Sequence, residues 1–152
     1  MPQLVSYEEL LAKVGVELGV SEWLMIEQPQ VDRFGELTHD LSPMHVNPTA
    51  AAETSFGGTI AHGFLTLSLV AGLTQPYLQV LQGLRFGVNY GLDKVRFLNP
   101  VPVGRRVRAR LCLAAVKKKD PAQVIIEYDV VVEIEGETKP ALVARWLNLQ
   151  QM

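Results

Sequence analysis

The chain has 152 residues, enough for one hydrophobic core and too few for two ordinary domains. Hydrophobic residues make up 48% of it and charged residues 20%, the balance of a globular chain rather than a disordered one. A formal net charge of −2 leaves no basic footprint for duplex nucleic acid, so nucleic acid is not an expected partner.

The single cysteine, Cys112, excludes an internal disulfide and a thiolate metal cluster. In Arg110-Leu-Cys-Leu-Ala-Ala115 its expected role is that of a small buried hydrophobe. The first residues lack the basic-then-apolar layout of a secretory leader. Ile60–Leu73 is apolar but interrupted by His62-Gly63, too short a run to cross a bilayer. The expectation is a cytoplasmic protein without a membrane segment, folded as one domain over residues 1–152, with 1–19 as an N-terminal helical extension.

In chain order, Ser6 followed by Glu9 has the capping-box spacing and predicts a short helix, after which Gly15 and Gly19 act as breaks. Glu22–Glu27 reads as a strand. Val31, Phe34 and Leu37 recur at helical spacing and predict an amphipathic helix over Gln30–Leu37. Asn47 as N-cap with Pro48 at the first helical position predicts another short helix through Thr54, and Phe56-Gly57-Gly58 a turn. Thr59–Leu73 is apolar on nearly every side, the mark of a buried central helix.

Four β-rich runs follow: Phe86–Phe97, Arg105–Lys117, Val124–Glu135 and Lys139–Leu149. Val107, Ala109, Leu111 and Leu113 alternate with Arg106, Arg108, Arg110 and Cys112, the period of a strand with one buried face. Lys118–Pro121 and Glu135–Glu137 are hairpin turns, and the prolines of Asn99–Pro102 bar a central strand there. The fold class is α+β, an antiparallel sheet packed against one buried helix.

The acid–base chemistry is concentrated in Thr38–Pro48, which holds two of the three histidines, Asp40, and two prolines that forbid a continuous helix. Asp40 and His45 are five residues apart with Pro43 bending the chain between them. A carboxylate and an imidazole so placed can hold one water, one group taking a proton from it while the other gives one to a substrate. Downstream, Gly57-Gly-Thr-Ile-Ala-His-Gly63 puts glycine-rich backbone at the start of the central helix. The free N–H groups there suit an oxyanion hole for a thioester carbonyl, and equally suit helix-capping glycines with nothing bound. His62 either lines the site or is a core histidine hydrogen-bonded to backbone near the helix start; the second role is favoured. The three histidines match no metal-ligand spacing, so no metal is expected.

Phe34-x-x-x-Thr38-x-Asp40-x-x-Pro43-x-His45, Ala50-Ala51 and Phe56-Gly-x-x-Ile-Ala-His-Gly63 together resemble the MaoC-like (R)-specific enoyl-CoA hydratase family. Val88-Asn-Tyr-Gly-Leu-Asp-Lys-Val-Arg-Phe-x-x-Pro-Val-Pro-Val-Gly104 is similar to its short, single-hot-dog branch, which includes the NodN-like proteins. The resemblance runs over nearly the whole chain from about Ser21. It implies a hot-dog fold, a sheet wrapped around a central helix. It also implies hydration of trans-2-enoyl-CoA to (R)-3-hydroxyacyl-CoA without a metal or redox cofactor. Asp40 and His45 would activate the water and relay its protons, and the Gly63 N–H would hold the thioester oxygen. A homodimer with each site at the subunit boundary is implied as well.

The chain departs from the family's Gly-Asp-x-Asn-Pro-aliphatic-His pattern at three positions: His39 for glycine, Ser42 for asparagine and Met44 for a branched aliphatic. Ser42, His62, Phe34 and Phe56 are candidate lining residues, and Leu65 and Leu69 join the two phenylalanines as candidates for an acyl slot. Lys94, Arg96, Arg105, Arg106 and Lys117–Lys119 are candidates for the CoA phosphates. Two alternatives stay open on the same fold: a thioesterase, and a non-catalytic module binding acyl-CoA or an acyl carrier.

Overall fold

The computed structural model describes residues 2–152. Strand β1 (Gln3–Val5) leads into helix α1 (Tyr7–Ala12). That helix is capped as its spacing predicts: Glu9 N donates to Ser6 Oγ at 3.1 Å, and Ser6 N donates to the Glu9 carboxylate at 2.7 Å. The helical extension expected over residues 1–19 is thus only one short helix flanked by strands; residue 1 lies outside the described residues. Gly15, at φ 87°, reverses the chain into β2 (Glu17–Val20). Gly19 does not break this strand. It admits the ring of Tyr77, whose Cδ1 lies 2.2 Å from where a Cβ would stand.

Of the strand expected over Glu22–Glu27, only β3 (Leu24–Met25) forms. Three helices follow: α2 (Gln28–Thr38), α3 (Pro43–Val46) and α4 (Pro48–Ala52). Pro43 and Pro48 each open one of the two short helices, so the loop expected between them is itself partly helical. The long apolar helix α5 covers Gly63–Thr74, not Thr59–Leu73. The backbone groups of Thr59, Ile60 and Ala61 are already bonded elsewhere: Val103 N to Thr59 O at 2.9 Å, Ile60 N to Met44 O at 3.0 Å, and Ala61 N to Val101 O at 2.8 Å. A helix begun at Thr59 would need the Thr59 carbonyl for Gly63 N and the Ile60 carbonyl, which bonds His45 Nδ1 at 2.7 Å, for Phe64 N.

After a 3-10 turn at Gln75–Tyr77, β4 (Gln79–Leu81) pairs in parallel with β1, a contact between chain segments too short to read from periodicity. The main sheet is built from β5 (Phe86–Phe97), β6 (Arg106–Asp120), β7 (Gln123–Ile134) and β8 (Leu142–Gln151). Its order is β2–β6–β7–β8–β5, with β3 also pairing β6, and every pairing in it is antiparallel. This curled sheet against one helix is the hot-dog arrangement.

Val107, Ala109, Leu111 and Leu113 of β6 point inward, as do Ile126, Tyr128, Val130 and Val132 of β7 and Leu142, Ala144 and Trp146 of β8. Leu65, Thr66, Val70 and Thr74 of α5 meet them. The Tyr128 hydroxyl, buried in that core, has its pKa pushed up to about 12 by desolvation. On the outer face the alternate residues pair across strands: Arg106 with Glu135, Arg108 with Glu133, Arg110 with Glu17 and Lys117 with Glu127. Cys112 belongs to this outer row and is half-buried rather than fully enclosed. Burial, then the carboxylates of Glu17 and Asp129, push its thiol pKa up, which leaves it a poor nucleophile.

α5 is not buried all round. Phe64 is 69% exposed, and Ser68, Ala71 and Gly72 on the same face are exposed with it. No helix among the described residues is long and apolar enough to cross a membrane.

Leu111→Ala is expected to cost about 2–5 kcal/mol through lost burial and a residual cavity. Arg106→Ala on the same strand should cost about 1 kcal/mol or less, because its ion pair is solvent-exposed. Urea midpoints of the two variants measure the contrast.

Candidate active site

Helix α2 delivers the chain to Asp40 through a left-handed residue. His39 has φ 61° and ψ 22°, and its N–H returns to Gly35 O, closing the helix end. Asp40 N also donates to Gly35 O at 3.0 Å. A Cβ on Gly35 would stand 2.8 Å from Asp40 O, so the absence of a side chain at residue 35 lets the Asp40 backbone lie directly on the helix. The backbone at residue 39 therefore keeps the conformation that glycine adopts freely, at a cost of roughly 1–2 kcal/mol for a side-chain-bearing residue.

Ser42 answers for the missing asparagine. Its hydroxyl donates to Asp40 Oδ1 at 2.7 Å and its N–H reaches the same oxygen at 3.4 Å. The Ser42 hydroxyl is the first cause that holds the Asp40 carboxyl below its ordinary pKa; desolvation opposes it, and the Ser42 N–H and the nearby histidines His62 and His45 add to it. Asp40 is exposed, so it is an ionised, solvent-reached carboxylate at neutral pH.

His45 sits on α3, with its Nδ1 2.7 Å from Ile60 O. A carbonyl only accepts, which assigns the proton to Nδ1 and leaves Nε2 as the basic nitrogen. His62, 2% exposed, stacks on the His45 ring with centroids 3.9 Å apart and planes at 31°. Its Nε2 donates to Asp40 O at 2.9 Å. Its Nδ1 is buried without a hydrogen-bond partner among the described residues. His62 is thus a core histidine bonded to backbone, and it touches both Asp40 and His45. Phe34 lies behind it, ring centroids 5.1 Å apart.

A cleft of about 300 Å³ opens beside this group, lined by His45, Phe56, Gly63, Thr66, Phe97 and Asn99 among others. The N–H groups of Gly63, Phe64 and Leu65 precede the first intrahelical bond of α5, Thr66 N to His62 O, so they carry the positive end of the helix into the cleft. The Phe97 ring packs against Gly63, 3.0 Å from where a Cβ would be.

The cleft brings together His45, Phe56 and Gly63; Asp40 and Ser42 are not among its lining residues. Leu65 is in the core and Leu69 packs against it, so neither lines this cleft. Among the cations, Arg105, Arg106 and Lys117 are committed to Glu137, Glu135 and Glu127. Lys118 lies over the Tyr7 ring and Lys119 over the Tyr90 ring. These five are engaged by their own fold. Lys94, at φ 55° beside a bulge of β5, and Arg96, whose guanidinium meets only its own strand's Val95 O, form no ion pair among the described residues.

Asp40, His45 and His62 each place one potential ligand atom within 4.8 Å of the others. As a metal centre the set is poorly built: His45 Nδ1 and His62 Nε2 already bond carbonyls, and stacked rings direct their in-plane lone pairs alongside one another instead of at one ion. One contributor has no sequence signal at all. Gln28, at the start of α2, donates to His45 O at 2.8 Å and accepts from Thr59 Oγ1 at 2.6 Å. It is separated from those partners by 17 and 31 residues, so no local pattern could have marked it.

A family model described as "MaoC like domain" matches residues 10–134. The chain is 43% identical over 148 residues to nodulation protein N of Rhizobium leguminosarum bv. viciae, covering 97% of this chain and 92% of that protein. It is 44% identical over 139 residues to 3-hydroxyacyl-thioester dehydratase Z of Mycobacterium tuberculosis, covering 91% of each. Among solved structures, it is similar to an (R)-hydratase from A. caviae involved in PHA biosynthesis. That match has a TM-score of 0.69 and 25% identity, over 86% of this chain and 95% of that one.

The lowered pKa of Asp40 adds folding stability that is present above its unfolded value and lost as pH falls through the folded one. Ser42→Ala removes the largest cause. The titration midpoint of Asp40, followed by the 13C shift of its carboxyl, should therefore rise toward the ordinary carboxylate range.

Proposed function

The chain belongs to the MaoC-like domain family, and on that footing we propose that it is a hydro-lyase of enoyl thioesters, adding water to trans-2-enoyl-CoA to give (R)-3-hydroxyacyl-CoA. The observation that carries this reading is the spacing of Asp40 and His45, whose side-chain atoms come within 4.8 Å. One water donating two hydrogen bonds of ordinary length spans acceptors about 4.5 Å apart. Ionised Asp40 accepts one hydrogen of that water and orients it. His45 Nε2 takes the other as the oxygen bonds to Cβ of the substrate. The π electrons move to the thioester oxygen, which the Gly63 N–H at the head of α5 holds as it becomes an enolate. The His45 imidazolium then returns a proton to Cα. The sum is H and OH added across the double bond, with no further reactant and no cofactor.

The named activity of dehydratase Z supports a thioester substrate and the reverse direction of the same step. Lys94 and Arg96, free of ion pairs on the strand that ends at Phe97, are assigned to the CoA phosphates. Phe56 flanks the acyl chain at the mouth of the cleft. A CoA substrate places the work in the cytoplasm.

We further assign the working unit as a homodimer with each site at the subunit boundary. β5 is an edge strand with one side unpaired among the described residues, and Phe86, Val88, Tyr90 and Leu92 along it are about half exposed. These residues and the exposed Phe64 of α5 are the apolar surface that a second copy would cover. Light scattering should give twice the 16.8 kDa chain mass, and Leu92→Arg should give the monomer; a wild-type monomer would overturn the assignment.

Crotonyl-CoA tests the activity. Loss of enoyl-thioester absorbance without free thiol is the expected result. Thiol release would point to hydrolysis, and ligand-raised melting with neither change to a binding module. Asp40→Asn and His45→Gln should each lower the hydration rate by about 10²–10⁴-fold with the fold intact by circular dichroism. Near wild-type activity in either variant would remove that residue from the mechanism.

A further inference from the structure

α3 is four residues long, far below the length at which a helix holds itself in water. Its shape, and so the aim of His45, must come from outside. Pro43 O accepts from Asn47 N at 3.0 Å, a local bond; Met44 O accepts from Ile60 N at 3.0 Å. The carbonyl of His45 itself accepts from a side chain, Gln28 Nε2, at 2.8 Å.

Every polar group of that amide is used. The same Nε2 donates to Asp32 Oδ1 at 2.8 Å, and Oε1 accepts from Thr59 Oγ1 at 2.6 Å. Asp32, one turn along α2, fixes the amide's orientation, since only the nitrogen end can face a carboxylate. Thr59 is the residue before Ile60, whose carbonyl holds His45 Nδ1. Gln28 therefore joins three segments at one point: the start of α2, the helix bearing His45, and the extended strap leading to α5. It does not line the cleft.

We propose that Gln28 is a positioning residue for the hydration step, holding the main chain of His45 so that Nε2 faces the water shared with Asp40. This rests on the hydratase reading above. The partner switch separates positioning from stability. Gln28→Glu keeps the length of the side chain and its acceptor for Thr59, but has no hydrogen to give His45 O and sets a carboxylate against Asp32. Adding Asp32→Asn supplies a donor to the new carboxylate and restores the link along α2, while His45 O still lacks its donor.

The Gln28→Glu/Asp32→Asn double variant is expected to melt like the wild type while its kcat on crotonyl-CoA falls about ten- to a hundredfold with KM little changed, the size of effect a small misplacement of a reacting group produces. In parallel, the His45 Nδ1 proton, followed by NMR, should exchange faster with solvent than in the wild type. A folded double variant with wild-type kcat and wild-type exchange overturns the proposal. A kcat recovered in step with the melting temperature also overturns it, because that is what a purely structural residue would give. Gln28→Met, uncharged and of equal length, carries the same two readouts if the double variant does not fold. If the wild type itself fails to hydrate crotonyl-CoA, the hydratase reading falls, and with it the catalytic part of this proposal. The exchange rate of the His45 proton then decides alone whether Gln28 fixes that residue.

Discussion

Ile60 is bonded through both of its backbone groups to the segment that bears His45: its N–H to Met44 O at 3.0 Å, its carbonyl to His45 Nδ1 at 2.7 Å. Its neighbours are fastened the other way, Thr59 O to Val103 N and Ala61 N to Val101 O. This extended strap ties a short, intrinsically unstable helix to the segment leading into β6. The same bonds occupy the Thr59 and Ile60 carbonyls, which a helix begun at Thr59 would give to Gly63 N and Phe64 N, so α5 begins at Gly63. Its free N–H groups consequently open onto the cleft instead of being buried a turn earlier. His45 and the head of α5 are thus placed by one strap of three residues.

Several unfavourable features gather around that strap. His39 is left-handed without being glycine, and His62 Nδ1 is a buried nitrogen with no hydrogen-bond partner among the described residues. Such features persist where the surroundings over-determine the geometry. Here the surroundings are Gly35, against which the Asp40 backbone lies, and the sheet core behind α5. His62 has a position that no exposed residue could fill, since it stacks on one member of the pair and bonds the main chain of the other. Ser42 meanwhile lowers the pKa of the Asp40 carboxyl, first through its hydroxyl and then through its N–H, both directed at the same oxygen.

The division of charge over the sheet has a functional side. The outer face of β6 and β7 is a self-satisfied lattice of arginine and glutamate, which leaves it little to offer an anionic substrate. The faces left unsatisfied are the edge of β5 and one side of α5, next to the cleft. An apolar helix that looks central in the sequence is covered by the sheet on one side only, with Phe64, Ser68, Ala71 and Gly72 exposed on the other.

Much of the fold was legible because its signals are local. The capping box of α1, the alternation along β6, the turn at Glu135-Gly136, and the prolines that split α3 from α4 each act through neighbouring residues. Asp40, His45 and Gly63 were marked by residue type and order within short motifs. Other features depend on bonds between residues far apart in the chain, and these only tertiary structure decided. The parallel pairing of β1 with β4, the late start of α5, the commitment of Arg105, Arg106 and Lys117 to carboxylates, and the half-exposure of Cys112 are of this kind. So is the role of Gln28. Periodicity tells which side of a strand is apolar but not which glutamate its arginines will meet, and a glutamine at a helix start shows no sign of a carbonyl 17 residues away. Residue type alone marked the groups capable of acid–base chemistry; the long-range bonds of Ile60 decided where His45 points, because the two residues lie 15 positions apart in the chain.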